Sequence, residues 1–144
     1  MKIYKVSDKK KYLPLLLLAD EQESMIDKYL DGGEMFVIDD NGIKGEIVVC
    51  PLPNGTVEIK NLAVYTEFQK RGYGRKLIEF VCSKFQSTRI IVGTGDSGLT
   101  VPFYEKCGFI KYFTVKNFFT DNYDHPIFEN GKQLTDMVYL EKKF

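Results

Sequence analysis

The run Gln69-Lys70-Arg71-Gly72-Tyr73-Gly74-Arg75 places two glycines and three cations where a helix would begin. The first amides of a helix lack internal acceptors, and the helix dipole adds partial positive charge at that end. Glycines let an anion come close to those amides, while Lys70, Arg71 and Arg75 contribute formal charge. The construction suits a pyrophosphate. A dinucleotide fingerprint would need a third glycine where Leu77 stands, and would follow the first strand of the domain. A P-loop would need Gly-Lys-Ser/Thr after four intervening residues, which is absent. Both alternatives fit poorly.

Elements that can position this run are readable on either side of it. A first strand near Lys2 to Val6 leads to two helical stretches, near Lys9 to Leu18 and Glu21 to Leu30. Lys9-Lys10-Lys11 ahead of Leu13 to Ala19 imitates a signal peptide. The apolar run is short, however, acids follow at once, and no small-x-small cleavage site appears, so a core-facing helix is expected. Three strands follow, Met35 to Ile38, Ile43 to Cys50 and Thr56 to Val64, joined at Asn41-Gly42 and Asn54-Gly55. Asn-Gly favours tight hairpins because both turn residues must take positive φ. After Val64 the period becomes helical, with Leu77, Ile78, Val81, Cys82 and Phe85 on one face. A buried strand, Arg89 to Val92, comes next. Strand, helix, strand implies a right-handed crossover and a parallel pairing of the fourth and fifth strands. A short helix near Thr100 to Cys107, a strand near Ile110 to Val115, an irregular segment near Asn117 to Asn130 and a strand near Gln133 to Leu140 complete the chain. The expected fold is mixed α/β, with six to seven strands flanked by about four helices.

Composition narrows the function. The chain has 144 residues, a length that fits one domain over 1–144. Twenty basic residues balance twenty acidic ones, which argues against a general nucleic-acid binder. Cys50, Cys82 and Cys107 are scattered, as suits reduced thiols in a cytoplasmic protein. A single histidine rules out a His-rich metal site, and no segment approaches the roughly 20 apolar residues of a membrane span.

Gln-x-x-Gly-x-Gly after a strand ending Leu62-Ala63-Val64 resembles the acetyl-CoA signature of the GNAT superfamily. Phe103-Tyr104-Glu105-Lys106-Cys107-Gly108-Phe109 resembles that family's second signature, and the element order matches along nearly the whole chain. The tail, including Phe118-Phe119, Tyr123-Asp124 and Ile127 to Gly131, resembles a small group of poorly characterised bacterial acetyltransferases. The resemblance implies an acetyl-CoA-dependent N-acetyltransferase in which an amine attacks the thioester directly, in a ternary complex, and a thiolate leaves. A non-catalytic acyl-CoA-binding or regulatory domain is the alternative.

The resemblance also implies roles. The fourth and fifth strands splay around the cofactor, with Leu62, Ala63 and Val64 beside the thioester arm and residues 69–75 on the pyrophosphate. Tyr104 matches the tyrosine that protonates the leaving thiolate, and a phenol of pKa about 10 keeps its proton at neutral pH. Glu58 matches a fourth-strand glutamate that serves as base in some members. Asp96-Ser97 stands nearest the place of an asparagine that contacts cofactor in many members. Asp96 is also a weaker candidate base, with capping of the next helix as its plainer role. Cys107 reads as a structural thiol. Asp121, Tyr123, Asp124 and Phe128 combine acid and aromatic groups in a way that suits a cationic amine, whether of a small molecule or a peptide. The aromatic tail is also a candidate homodimer contact.

Overall fold

The computed structural model describes residues 1–85 and 88–144. The chain divides into two compact units, Met1–Ser87 and Thr88–Phe144.

In the first unit β1 (Lys2–Val6), β2 (Glu34–Asp39), β3 (Ile43–Pro51) and β4 (Thr56–Val64) pair in sequence order, each antiparallel to the next. Both Asn-Gly turns take the conformation expected of them: φ is 56° and 113° at Asn41 and Gly42, and 66° and 74° at Asn54 and Gly55. Between β1 and β2 lie α1 (Leu13–Ala19) and α2 (Glu23–Ile26). Pro14 opens α1, where its missing N–H costs nothing. Leu15 and Leu16 are fully buried, so the Leu-rich run is a core helix, as its flanking residues predict.

The second helix is shorter than the apolar periodicity suggests. After Ile26 the chain tightens, with Lys28 N–H to Met25 O and Tyr29 N–H to Ile26 O at three-residue spacing. Lys9 then gathers the carbonyls of Leu30 (2.7 Å), Asp31 (3.3 Å) and Gly33 (2.6 Å), so a long-range side chain ends this segment. One face of the sheet packs Met35, Val37 and Val48 against Leu16, Ile26 and Leu30. On the other side Phe36 meets Phe80 and Phe85 of α3 (Tyr73–Phe85) edge-on, with ring centres 5.2 and 6.1 Å apart.

In the second unit β9 (Met137–Lys143) lies between β5 (Arg89–Gly95) and β6 (Ile110–Val115), antiparallel to both. Helix α4 (Val101–Lys106) connects β5 to β6 and is closed by Gly108 at φ 96°. The segment expected to be irregular, near Asn117 to Asn130, holds α5 (Phe118–Asn122) and β7 (Phe128–Glu129), which pairs in a small hairpin with β8 (Lys132–Gln133), so the last strand begins at Met137 and not near Gln133. That hairpin turns on Asn130-Gly131, with φ 53° and 76°, a third use of the same turn chemistry. Phe119, Ile127 and Leu134 form the core beneath it.

Candidate active site

The phosphate-type loop follows β4 after one short 3-10 turn, Thr66–Phe68. Gln69 Nε2 donates to the carbonyl of Val64 at 3.1 Å, tying the loop to the strand end. Lys70 (φ 64°) and Gly72 (φ 88°) both take the left-handed conformation, which turns the chain sharply into α3. The first helical bond of α3 is Lys76 N–H to Gly72 O at 3.0 Å, so the amides of Tyr73, Gly74 and Arg75 precede the internal ladder. A methyl group built on Gly72 would meet nothing within 4 Å, so the approach to this helix end is open.

The cations around it are held in different ways. Arg71 lies 5.6 Å from the Phe68 ring centre, and Lys44 sits 4.1 Å over the same ring. Lys44 was not legible as part of this site from sequence. It arrives because the pairing of Gly45 with Val64 sets the preceding residue of β3 beside the start of the loop, where Tyr65 N–H donates to Lys44 O at 3.0 Å. Arg75 pairs with Glu79 one turn on, at 3.2 Å. The Tyr73 hydroxyl donates to Asp40 at 2.7 Å, and this bond raises the phenol above its ordinary pKa. Its side chain therefore anchors α3 to the β2–β3 turn, leaving its amide as the part that can serve a ligand.

Along β4 the pairing contains a bulge. Val48 faces Asn61 while Val49 faces Ile59, so Lys60 is an extra residue. Glu58 pairs with Cys50 and Asn61 with Val48; residues 48 and 50 share a face, so the bulge turns Glu58 onto the face that carries Asn61. Glu58 is mostly buried and ion-paired with Lys60 Nζ at 3.1 Å. Burial raises the nearby Cys50 thiol, with Lys60 acting against that and Glu58 with it. Leu62 and Val64 point to the opposite face from Ala63. Gly45 lets β3 approach closely here: a methyl on it would stand 2.7 Å from Ala63 O.

In the second unit Tyr104 is 7% exposed and packs edge-on to Phe103 and Phe109, with ring centres 5.2 and 5.7 Å away. Asp96 is occupied: it accepts from Thr135 N–H (3.2 Å), Thr135 Oγ1 (2.9 Å) and Asp136 N–H (3.2 Å). Burial alone would raise its carboxyl, but these bonds hold it below the usual range. It caps the chain entering β9, not the following helix. Ser97 accepts from Leu99 N–H at 3.2 Å and donates to Glu129. Cys107 is buried.

The acceptor candidates are not all brought together. A cavity of about 250 Å³ is lined by Phe119, Tyr123, Asp124, His125, Ile127 and Leu134 among others. Tyr123 stacks on Phe119 at 5.5 Å, and Asp124 pairs with His125. Asp121 and Phe128 are outside that lining, the first in α5 and the second 61% exposed on β7.

A family model described as an acetyltransferase (GNAT) domain matches residues 31–111. The chain is 38% identical over 131 residues to an uncharacterized N-acetyltransferase, YvbK, of Bacillus subtilis, covering 88% of this chain and 84% of that one. An IAA acetyltransferase from Bacillus cereus superposes with a TM-score of 0.93 at 30% identity, over 99% of each chain. A GNAT family acetyltransferase from Elizabethkingia anophelis, solved with acetyl-CoA bound, gives a TM-score of 0.91 at 37% identity, over 99% of this chain and 97% of that one. This likeness gives the chain the mixed α/β fold expected from its sequence.

Proposed function

Because the chain belongs to the GNAT acetyltransferase family and is an acetyl-CoA-dependent N-acetyltransferase, we propose that residues 1–144 act as one acyltransferase domain that acetylates a primary amine of a small molecule or peptide. The amine attacks directly, in a ternary complex. The observation that carries this reading is the open helix end at Tyr73 to Arg75, with Gly72 leaving room above it and Lys70, Arg71 and Lys44 close by. Those groups fit a pyrophosphate.

Acetyl-CoA, when bound, supplies the activated carbonyl and a thiolate leaving group. The amides of residues 73–75 hold the pyrophosphate, and the backbone of Leu62, Ala63 and Val64 directs the thioester arm. An amide in that stretch polarises the carbonyl. Glu58 takes a proton from the amine, and Tyr104 gives one to the departing sulfur. Tyr123 and Asp124, on a cavity with an aromatic wall and a carboxylate at its edge, recognise a cationic acceptor.

Tyr104→Phe tests the acid. Turnover should fall by roughly 10²–10⁴-fold with CoA affinity unchanged. An unchanged rate at every pH would return Tyr104 to the aromatic core with Phe103 and Phe109.

A further inference from the structure

The cations around the start of α3 are balanced unequally. Arg75 is neutralised by Glu79 one turn on, at 3.2 Å. Lys44 and Arg71 form no ion pair among the described residues, and the Lys44 ammonium reaches only the neutral carbonyl of Asn41, at 3.3 Å. The acids of the adjoining β2–β3 turn are given to other partners. Asp39 accepts from the Gly42 N–H at 3.0 Å, and Asp40 from the Tyr73 hydroxyl at 2.7 Å.

What Lys44 and Arg71 share is the Phe68 ring, with the ammonium 4.1 Å and the guanidinium 5.6 Å from its centre. A ring face attracts a cation without cancelling its charge. The ring and Lys44 are tied to one another through the backbone. Phe68 N–H donates to Tyr65 O at 2.8 Å, and Tyr65 N–H donates to Lys44 O at 3.0 Å. Two like charges are thus gathered on one fixed ring, where they repel each other until an anion joins them. Lys70 makes no ring contact among the described residues, so it adds to the field without a fixed position.

The field of this pair favours the pyrophosphate, which the amides of residues 73–75 hold directly, but the pyrophosphate does not account for both cations. Each of its phosphates bears a single negative charge. CoA carries a third phosphate, the monoester on its ribose 3′ oxygen, and a phosphate monoester holds a charge of about −1.5 to −2 at neutral pH. It is the group of the cofactor whose charge two cations match. We propose that Lys44 and Arg71 bind the 3′-phosphate of CoA, so that the protein distinguishes CoA from its 3′-dephospho form. This rests on the reading of residues 73–75 as the pyrophosphate site. The guanidinium offers paired N–H groups to two phosphate oxygens, and the ammonium supplies a point charge beside them.

The test is calorimetric titration of CoA and of 3′-dephospho-CoA into the wild type, Lys44→Met, Arg71→Gln and the double variant. Methionine keeps the Lys44 stem over Phe68 and removes its charge. The wild type should bind CoA about tenfold or more tighter than the dephospho form, each single variant should narrow that ratio, and the double variant should bring it within about twofold. If the two cations served the pyrophosphate alone, both ligands would lose affinity equally, so a ratio that survives the double variant overturns the proposal. A wild-type ratio near one overturns it too, while tight binding of both ligands would leave the pyrophosphate site standing. Should the variants fail to fold, the wild type alone decides. Phosphorus NMR of bound CoA should show the 3′-phosphate titrating at a lower pH than in free CoA, because neighbouring cations favour the dianion, and an unmoved titration refutes the assignment. A wild type that bound neither ligand would bring down the functional reading, and this inference with it.

Discussion

Gly72 and Gly74 separate two effects of glycine at the start of α3. Gly72 has φ 88°, so any side chain there takes the left-handed conformation at a cost of about 1–2 kcal/mol, more when β-branched. No clash adds to this, since nothing lies within 4 Å of the new methyl. For a domain of this size Gly72→Val should lower Tm by roughly 2–8 °C. Gly74 lies inside the first turn of α3, where glycine is a poor helix former, so Gly74→Val should hold or raise stability by about 0.5 kcal/mol. Helical Cα–Cβ bonds tilt toward the N-terminus, which aims the methyls of the introduced valine at the amides meant for phosphate. Losing one amide–phosphate bond, worth about 1.5–3 kcal/mol, weakens CoA binding by roughly 10- to 100-fold. Calorimetry with CoA, paired with thermal unfolding, measures both quantities. A Gly74→Val variant that is as stable as the wild type and binds CoA as tightly would refute the placement of the pyrophosphate.

Glu58→Gln should lower the rate at neutral pH by roughly 10²–10⁴-fold, with recovery as the pH nears the pKa of the free amine. Loss of acceptor affinity at every pH without recovery would make Glu58 an anchor, and no change would leave it as the partner of Lys60. Asp96 has a folded pKa below its unfolded value, so its contribution is complete above pH about 3.9 and is lost as the pH falls through the lower folded value. Asp96→Asn should therefore destabilise the protein most at neutral pH, with the difference shrinking below about pH 4 in denaturant melts. A constant difference across that range would remove the hydrogen bonds to Thr135 and Asp136 as its cause.

The parts of this molecule that local chemistry dictates were legible in its residues. Asn41-Gly42 and Asn54-Gly55 specify their hairpins because few other pairs tolerate two successive positive φ values, and the glycine-rich start of α3 carries its own electrostatics. Asn130-Gly131 obeys the same rule, but its strands are two residues each, too short for an alternating pattern to show. What pairing decides was hidden. The bulge at Lys60 places Glu58 and Asn61 on one face, although their spacing along a regular strand would separate them. The close of the turn that follows α2 depends on Lys9, which binds the carbonyl of Leu30, 21 residues away along the chain. Asp96 stands in sequence where a cap for the following helix is expected, yet it binds the backbone of residues 135 and 136. Lys44 carries no signal of its own in the sequence; only the register that pairs Gly45 with Val64 brings it to the loop.

Initial-rate kinetics with acetyl-CoA and a primary amine varied together test direct transfer within a ternary complex. If the amine attacks the thioester while both substrates are bound, double-reciprocal lines at different amine concentrations intersect, and no acetylated protein accumulates when acetyl-CoA is supplied alone. Parallel lines, with an acetyl group found on Cys107 or another side chain by mass spectrometry, would show that the protein itself carries the acetyl group between two half-reactions, and would contradict the mechanism.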